Sequence, residues 1–220
     1  VFMSAYVSAE GISKSFGKQA ILDHISVDFE KGKVYGITGR NGSGKTVFLK
    51  ILCGLMLPNQ GTVSVDGKTI GKDMDFPESV GAIIESPGFL PYWSGYKNLT
   101  YLASLRNRIG AAEISDAMNL VGLDPKDKKP VGKYSLGMKQ RLGMAQAIME
   151  NPQLLILDEP MNSLDADSVS HMRILLKDMR NSGKTIILAS HMQEDLAVLC
   201  DELYELKEGN LHIKHFTTVE

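Results

Sequence analysis

The segment Gly39-Arg-Asn-Gly-Ser-Gly-Lys-Thr46 constrains this chain more than any other stretch of it. It fits the pattern G-x-x-x-x-G-K-[ST], a glycine-rich turn that joins a buried strand to a helix. Its flanks agree with that context. Val34 to Thr38 is a short apolar run suited to a buried strand, and Phe48, Ile51, Leu52 and Leu55 recur at helical spacing beyond it. Glycines at 39, 42 and 44 permit backbone conformations that a Cβ resists, so consecutive N–H groups can turn inward onto an anion. The N-terminus of the following helix adds positive potential. Lys45 is suited to reach the β- and γ-phosphates, and the Thr46 hydroxyl to ligate Mg²⁺. The variable slots hold Arg40, Asn41 and Ser43, and Arg40 is expected to face solvent. Such a loop is expected to bind a nucleoside triphosphate.

The remainder reads as one α/β domain. With 220 residues, 43% hydrophobic and 23% charged, the chain can bury a full-sized core. Ile25–Glu30 alternates as a half-buried strand, and Asp66-Gly67 between Val63/Val65 and Ile70 signals a hairpin. From about Asn98 to Met149 the apolar spacing turns helical. Leu154–Leu157 and Thr185–Ala189 read as buried strands, Gln193–Leu199 as a short helix, and Leu203–Ile213 as a closing hairpin. A net charge of −2 argues against a general basic surface for nucleic acid. No apolar run approaches the roughly 18–20 residues that span a bilayer, and Val1–Glu10 lacks the pattern of a signal peptide. Cys53 and Cys200 lie in apolar segments without metal spacing; reduced thiols of a cytosolic chain are expected, with a disulfide as the alternative. His24, His171, His212 and His215 show no ligand spacing.

Two further patterns bear on chemistry. The apolar run Leu154–Leu157 ends in Asp158-Glu159-Pro160, which would place Asp158 near Mg²⁺ and Glu159 where it can polarise an attacking water. Taken alone, such a run can equally be a plain strand end. The second is Tyr134-Ser-Leu-Gly-Met-Lys-Gln-Arg141. Ser135 suits a helix N-cap, and Gly137 leaves room for a phosphate at that helix start, a second anion site.

Together these motifs resemble the nucleotide-binding subunits of ATP-binding cassette (ABC) transporters along nearly the whole chain. Residues 39–46 are similar to the Walker A loop, 135–141 to the LSGGQ signature, and 154–159 to Walker B. Ser163-Leu164-Asp165 resembles the D-loop, His191 the switch histidine, and Phe16 in Lys14-Ser-Phe-Gly17 the aromatic that stacks on adenine. The resemblance implies that ATP is sandwiched between two chains, a second copy or a similar ATPase. Walker A of one would face Ser135 and Gly137 of the other, with Asp165 at the seam. It implies catalysis by Glu159, His191 and Lys45, and a separate integral membrane permease. The chain would sit in the cytoplasm on the inner face of the membrane. Rival readings are a repair or translation ABC ATPase, and an ATP-gated dimerisation module without hydrolysis. The stretch between Lys45 and Ser135 is too short for the coiled coils of the first, and the presence of Glu159 and His191 argues against the second.

Departures from the family pattern are informative. Val80-Gly-Ala-Ile-Ile-Glu85-Ser-Pro-Gly-Phe aligns with the Q-loop, and Glu85 stands where most members have glutamine. A carboxylate only accepts hydrogen bonds, and it adds negative charge near the γ-phosphate while remaining able to meet Mg²⁺. Glu in this context resembles the bacitracin-resistance and lantibiotic-immunity branch, which exports peptide antibiotics; a tolerated variant in another exporter is the alternative. Val47 replaces a Ser or Thr that would bond the α-phosphate, a loss of about 0.5–1.5 kcal/mol. Leu136 and Met138 replace small signature residues. Phe89, Tyr92, Trp93 and Tyr96 form either a docking patch for the permease or helical core. The expected fold is a P-loop NTPase with a RecA-like core, an N-terminal antiparallel β subdomain, and an inserted α-helical subdomain over residues 86–150. Residues 1–85 and 151–220 would form the core of a single ABC ATPase domain.

Overall fold

The computed structural model describes residues 5–85 and 88–215; Val1–Ser4 of the N-terminal reading, Ser86 and Pro87 of the Q-loop segment, and 216–220 lie outside the described residues. The chain opens with the long strands β1 (Val7–Phe16) and β2 (Gln19–Phe29), which pair antiparallel through three bulges. Next come β3 (Val34–Thr38), the phosphate loop, and helix α1 (Lys45–Leu52). The hairpin β4 (Gln60–Val65) and β5 (Lys68–Thr69) turns at Asp66-Gly67 as its sequence predicts. A four-stranded sheet of order β2-β1-β4-β5 results.

Strand β6 (Val80–Ile83) leads into helices α2 (Gly95–Arg106), α3 (Ala111–Leu120) and α4 (Leu136–Ile148). The chain then returns through β7 (Leu154–Asp158), α5 (Ala166–Asn181), β8 (Thr185–Ala189), α6 (Gln193–Leu199), β9 (Glu202–Lys207) and β10 (Asn210–Lys214). The second sheet runs β10-β9-β3-β8-β7-β6, parallel except for the edge strand β10. Strands β3, β7 and β8 are almost wholly buried, which explains their continuous apolar runs in place of alternation.

The pleat sends alternate residues of the parallel sheet into two cores. Leu155 and Leu157 face the core shared with α2–α6, whereas Leu154 and Ile156 face the core shared with α1 and the antiparallel sheet. Cys53 belongs to the second core and Cys200 packs against the first, and both thiols are free. Helix α1 starts at Lys45 and stops at Leu52, short of the spacing through Leu55. Gly54 takes φ +83°, and a Cβ there would sit 2.4 Å from the Asp75 carbonyl oxygen. Among the described residues no helix is long and apolar enough to cross a membrane.

Candidate nucleotide site

Open parallel sheets bind ligands beyond the carboxyl ends of their strands, and that is where the chemistry-bearing residues of this chain collect. The loop after β3 carries 39–46, β7 ends at Asp158, His191 follows β8, and Glu85 follows β6. The order β3-β8-β7-β6 makes these strand ends neighbours. A cleft of about 770 Å³ opens over them, lined by Asn41 to Val47, Glu85, Asp158 and Glu159.

The loop is shaped for an anion. Gly44 has φ +104°, and a Cβ on it would fall 2.9 Å from Ile21 Cγ2. A Cβ on Gly39 would meet the Leu206 carbonyl oxygen at 2.5 Å and Ser43 Oγ at 2.7 Å. Ser43 Oγ is buried without a hydrogen-bond partner, a polar group for which a ligand oxygen would be the natural partner. Lys45 is only 8% exposed, and its Nζ donates to the carbonyl oxygens of Gly39 at 2.8 Å and Arg40 at 3.3 Å. The ammonium thus rests on loop carbonyls, in reach of the cradle. Arg40 is exposed and lines an adjoining recess that shares Asn41 to Ser43 with the cleft and extends to Glu205–Gly209.

Thr46 Oγ1 donates to Asp158 Oδ2 at 2.6 Å. Burial pushes the Asp158 carboxyl above its ordinary range; the Thr46 bond opposes this, Glu159 adds to it, Lys45 opposes it, and Glu85 adds to it. Glu159, held at φ +49°, brings Oε2 to 2.8 Å from His191 Nδ1. Glu85, also left-handed at φ +59°, accepts from Lys50 Nζ at 2.8 Å. Its carboxylate is therefore ion-paired with Lys50 while still lining the cleft. Sequence reasoning missed Lys50, since nothing in the motif marks it.

Of the remaining expected site residues, Ser135, Gly137, Asp165 and Phe16 do not line the cleft, whereas Val47 does. Ser135 caps α4, its Oγ accepting from Met138 N at 3.1 Å, and both it and Leu136 (70% exposed) are at the surface. Gly137 is needed by its surroundings, because a Cβ would approach the Ser163 carbonyl oxygen to 2.8 Å. Asp165 caps α5 by accepting from Ser168 N at 2.8 Å, a bond that holds its carboxyl below the usual range. Phe16 is 50% exposed at the end of β1, with Lys14 Nζ 5.6 Å from its ring centre. Val47 lines the cleft and packs partly against the core. The signature contributes one contact that its pattern did not announce: Gln140 Nε2 donates to the carbonyl oxygens of Glu159 and Pro160 at 3.2 and 3.1 Å. Among the described residues no three His, Cys, Asp or Glu side chains gather as a metal cluster.

A phosphate cradle after the central strand, a hydroxyl–carboxylate pair and a poised acid define a P-loop nucleotide-binding protein. Comparison with known proteins narrows the class. The sequence profile of the family described as ABC transporter matches residues 22–162, and the chain belongs to that family. It is 42% identical over 91% of its length to an uncharacterized ABC transporter ATP-binding protein, YybJ of Bacillus subtilis, covering 92% of that protein. It is 39% identical to the bacitracin transport ATP-binding protein BcrA of Enterococcus faecalis, over 96% of this chain and 69% of that one. The lantibiotic transport ATP-binding protein SrtF of Streptococcus pyogenes is 36% identical over 92% of this chain and 87% of its own. The dimeric structure of MJ0796, a bacterial ABC transporter cassette, shares the fold with a TM-score of 0.85 at 20% identity, over 96% and 100% of the two chains. The chain is an ATP-binding, ATP-hydrolysing subunit of the ABC transporter type.

Proposed function

We propose that this subunit hydrolyses Mg²⁺-bound ATP in a sandwich of two cassettes and drives a separate membrane permease that exports peptide antibiotics. One observation carries the catalytic part: Lys45, the Thr46–Asp158 pair and Glu159 converge in a single cleft. Lys45 would exchange its loop carbonyls for phosphate oxygens, with the N–H groups of residues 41–47 around them. Thr46 and Asp158 suit Mg²⁺, which usually takes one or two protein oxygens and completes its shell with phosphate and water. When bound, the cation would offset charge on the phosphates; Glu85 could reach its shell. Glu159 would act as general base and His191 would orient the attacked phosphate.

The second half of the site is read from surface chemistry. The N-terminus of α4 stands free at Ser135 and Gly137, and Leu136 is an exposed apolar side chain at the edge of the nucleotide cleft. A facing cassette would cover it and close the anion site, with Asp165 at the seam and Phe16 against adenine.

The permease reading rests on a second hollow, of about 570 Å³, between the end of β6 and α2. Leu55, Phe89, Leu90, Tyr101 and Leu102 make it mainly apolar. Of the four aromatics after Glu85, Phe89 and Tyr96 pack partly into the core, Trp93 stacks edge-on with Tyr101, and Tyr92 is 91% exposed. A permease segment seated there would place the complex on the inner face of the cell membrane. Export of peptide antibiotics is supported by Glu85 and by the names of BcrA and SrtF. The test is affinity capture of the tagged chain from gently solubilised native membranes, followed by mass spectrometry. A polytopic membrane protein recovered in near-equal amount is expected, with ATP turnover of the pair raised by a bacitracin- or lantibiotic-type peptide. Recovery of soluble partners alone would overturn the transport reading.

A further inference from the structure

The nucleotide cleft holds an acid, Glu85, that a triphosphate would have to approach. Three carboxylates line it, Glu85, Asp158 and Glu159, against two lysines, Lys45 in the phosphate loop and Lys139 on α4. Uncompensated, a third negative charge beside a tetra-anionic ligand opposes binding. Glu85 sits in a left-handed conformation at the end of β6, and Lys50 lies on α1, five residues beyond Lys45. Their side chains meet at 2.8 Å, and the Lys50 side chain is three-quarters buried whereas the Glu85 carboxylate faces the open cleft. Lys50 is held on a helix whose neighbours Leu49 and Ile51 are buried, and its side chain is the less exposed partner of the pair.

We propose that Lys50 is a positioning residue of the nucleotide site: it neutralises Glu85 and holds its carboxylate against α1, so that the acid does not repel the incoming triphosphate. The lysine acts through Glu85 and touches no part of the cradle itself. A glutamine at position 85 would need no such partner. This rests on the ATP site described above and adds to it the reason an acid is compatible with that site.

The test is equilibrium binding of ATP in the presence of a chelator, repeated with excess Mg²⁺, for wild type, Lys50→Met, Glu85→Gln and the double variant. Without Mg²⁺, Lys50→Met is expected to weaken binding by about 5- to 10-fold, the scale of one unscreened charge at the cleft. Mg²⁺ should shrink that loss, because the cation offsets the same charge. Glu85→Gln alone should bind Mg²⁺-free ATP at least as tightly as wild type, and the double variant should return to within about twofold of wild type. Rescue of this kind separates a role through Glu85 from a merely structural one. Equal losses in Lys50→Met and the double variant, or an unchanged Lys50→Met, would overturn the proposal while leaving the ATP site intact. Wild type that retained no ATP would overturn the site and the proposal together.

Discussion

Glu159 Oε2 and His191 Nδ1 lie 2.8 Å apart, joined across two adjacent strand ends. The register of β7 and β8 brings the two segments side by side: Asp158 pairs with Ala189, and Glu159 N donates to the Ala189 carbonyl oxygen at 2.9 Å. The left-handed backbone at Glu159 then aims its side chain back over β8. A carboxylate engaged by an imidazole is held in one rotamer, ready for a water but not free to drift.

Glu159→Gln should therefore retain ATP and lose turnover. Positioned general-base catalysis contributes roughly 10²- to 10⁴-fold, and a loss of that order in phosphate release is expected with ATP affinity within about twofold of wild type. Single-turnover phosphate release alongside nucleotide retention would check it. Turnover within tenfold of wild type would show that the general base is another group.

Asp158 supplies a pH dependence whose sign can be worked out. Its folded-state carboxyl titrates above the ordinary value because of burial, so folding favours the protonated form. The native state then binds more protons than the unfolded chain between those two values, and stability falls as pH rises through that window. Asp158→Asn removes the cost while its amide oxygen can still accept from Thr46. The variant should melt higher than wild type at pH 7, by about 2–4 °C for each kcal/mol recovered in a chain of this size. The advantage should vanish near pH 4. Differential scanning calorimetry at the two pH values decides it, and an advantage that persists at pH 4 would rule out the carboxylate as its source.

Much of this site was legible in the sequence, and the limit has a physical cause. Val34–Thr38 and Thr185–Ala189 are apolar runs bounded by turn residues, and Gln193–Leu199 follows its apolar spacing without a side-chain cap, so local pattern defines them, and Ser135 and Asp165 are caps as their residue types suggest. Contacts that depend on how strands are ordered carry no local mark. Lys50 meets Glu85 across 35 residues, and Gln140 reaches the Glu159 carbonyl across 19. Neither pairing could be read before β6 was known to lie beside β7, or α4 beside the loop after it. The end of α1 falls short of its apolar spacing for the same reason, since Gly54 is required by the distant Asp75 backbone.

The thiols offer a test of the two-core arrangement. Burial, aided by Asp201 and Asp195, pushes the Cys200 thiol up to about 12, and burial also raises Cys53. Because the thiolate is the nucleophile, native Cys200 should react with iodoacetamide at pH 8 about 10³-fold more slowly than in the unfolded chain. Peptide mapping after timed alkylation measures this. A native rate near that of the unfolded chain would mean that α6 opens readily.

The helix after His191 is anchored by a nearly dry ion pair. Asp195 is 0% exposed, and its Oδ1 accepts from Arg173 Nη2 at 2.6 Å and Nε at 2.8 Å, while its Oδ2 is buried without a partner. Glu194 adds a third contact to the same guanidinium at 3.1 Å. The pair ties α6 to α5, and so ties the segment carrying His191 to the helix that Asp165 caps. Breaking a buried pair from one side leaves an uncompensated charge and costs about 3–5 kcal/mol. Arg173→Met should fall near the lower bound, about 3 kcal/mol, because the guanidinium keeps some solvent contact. Arg173→Met combined with Asp195→Leu should recover most of the loss, since no charge is then stranded. Urea midpoints for the three variants measure both statements. A double variant no more stable than Arg173→Met would show that packing of the arginine stem, not its charge, holds α6 in place.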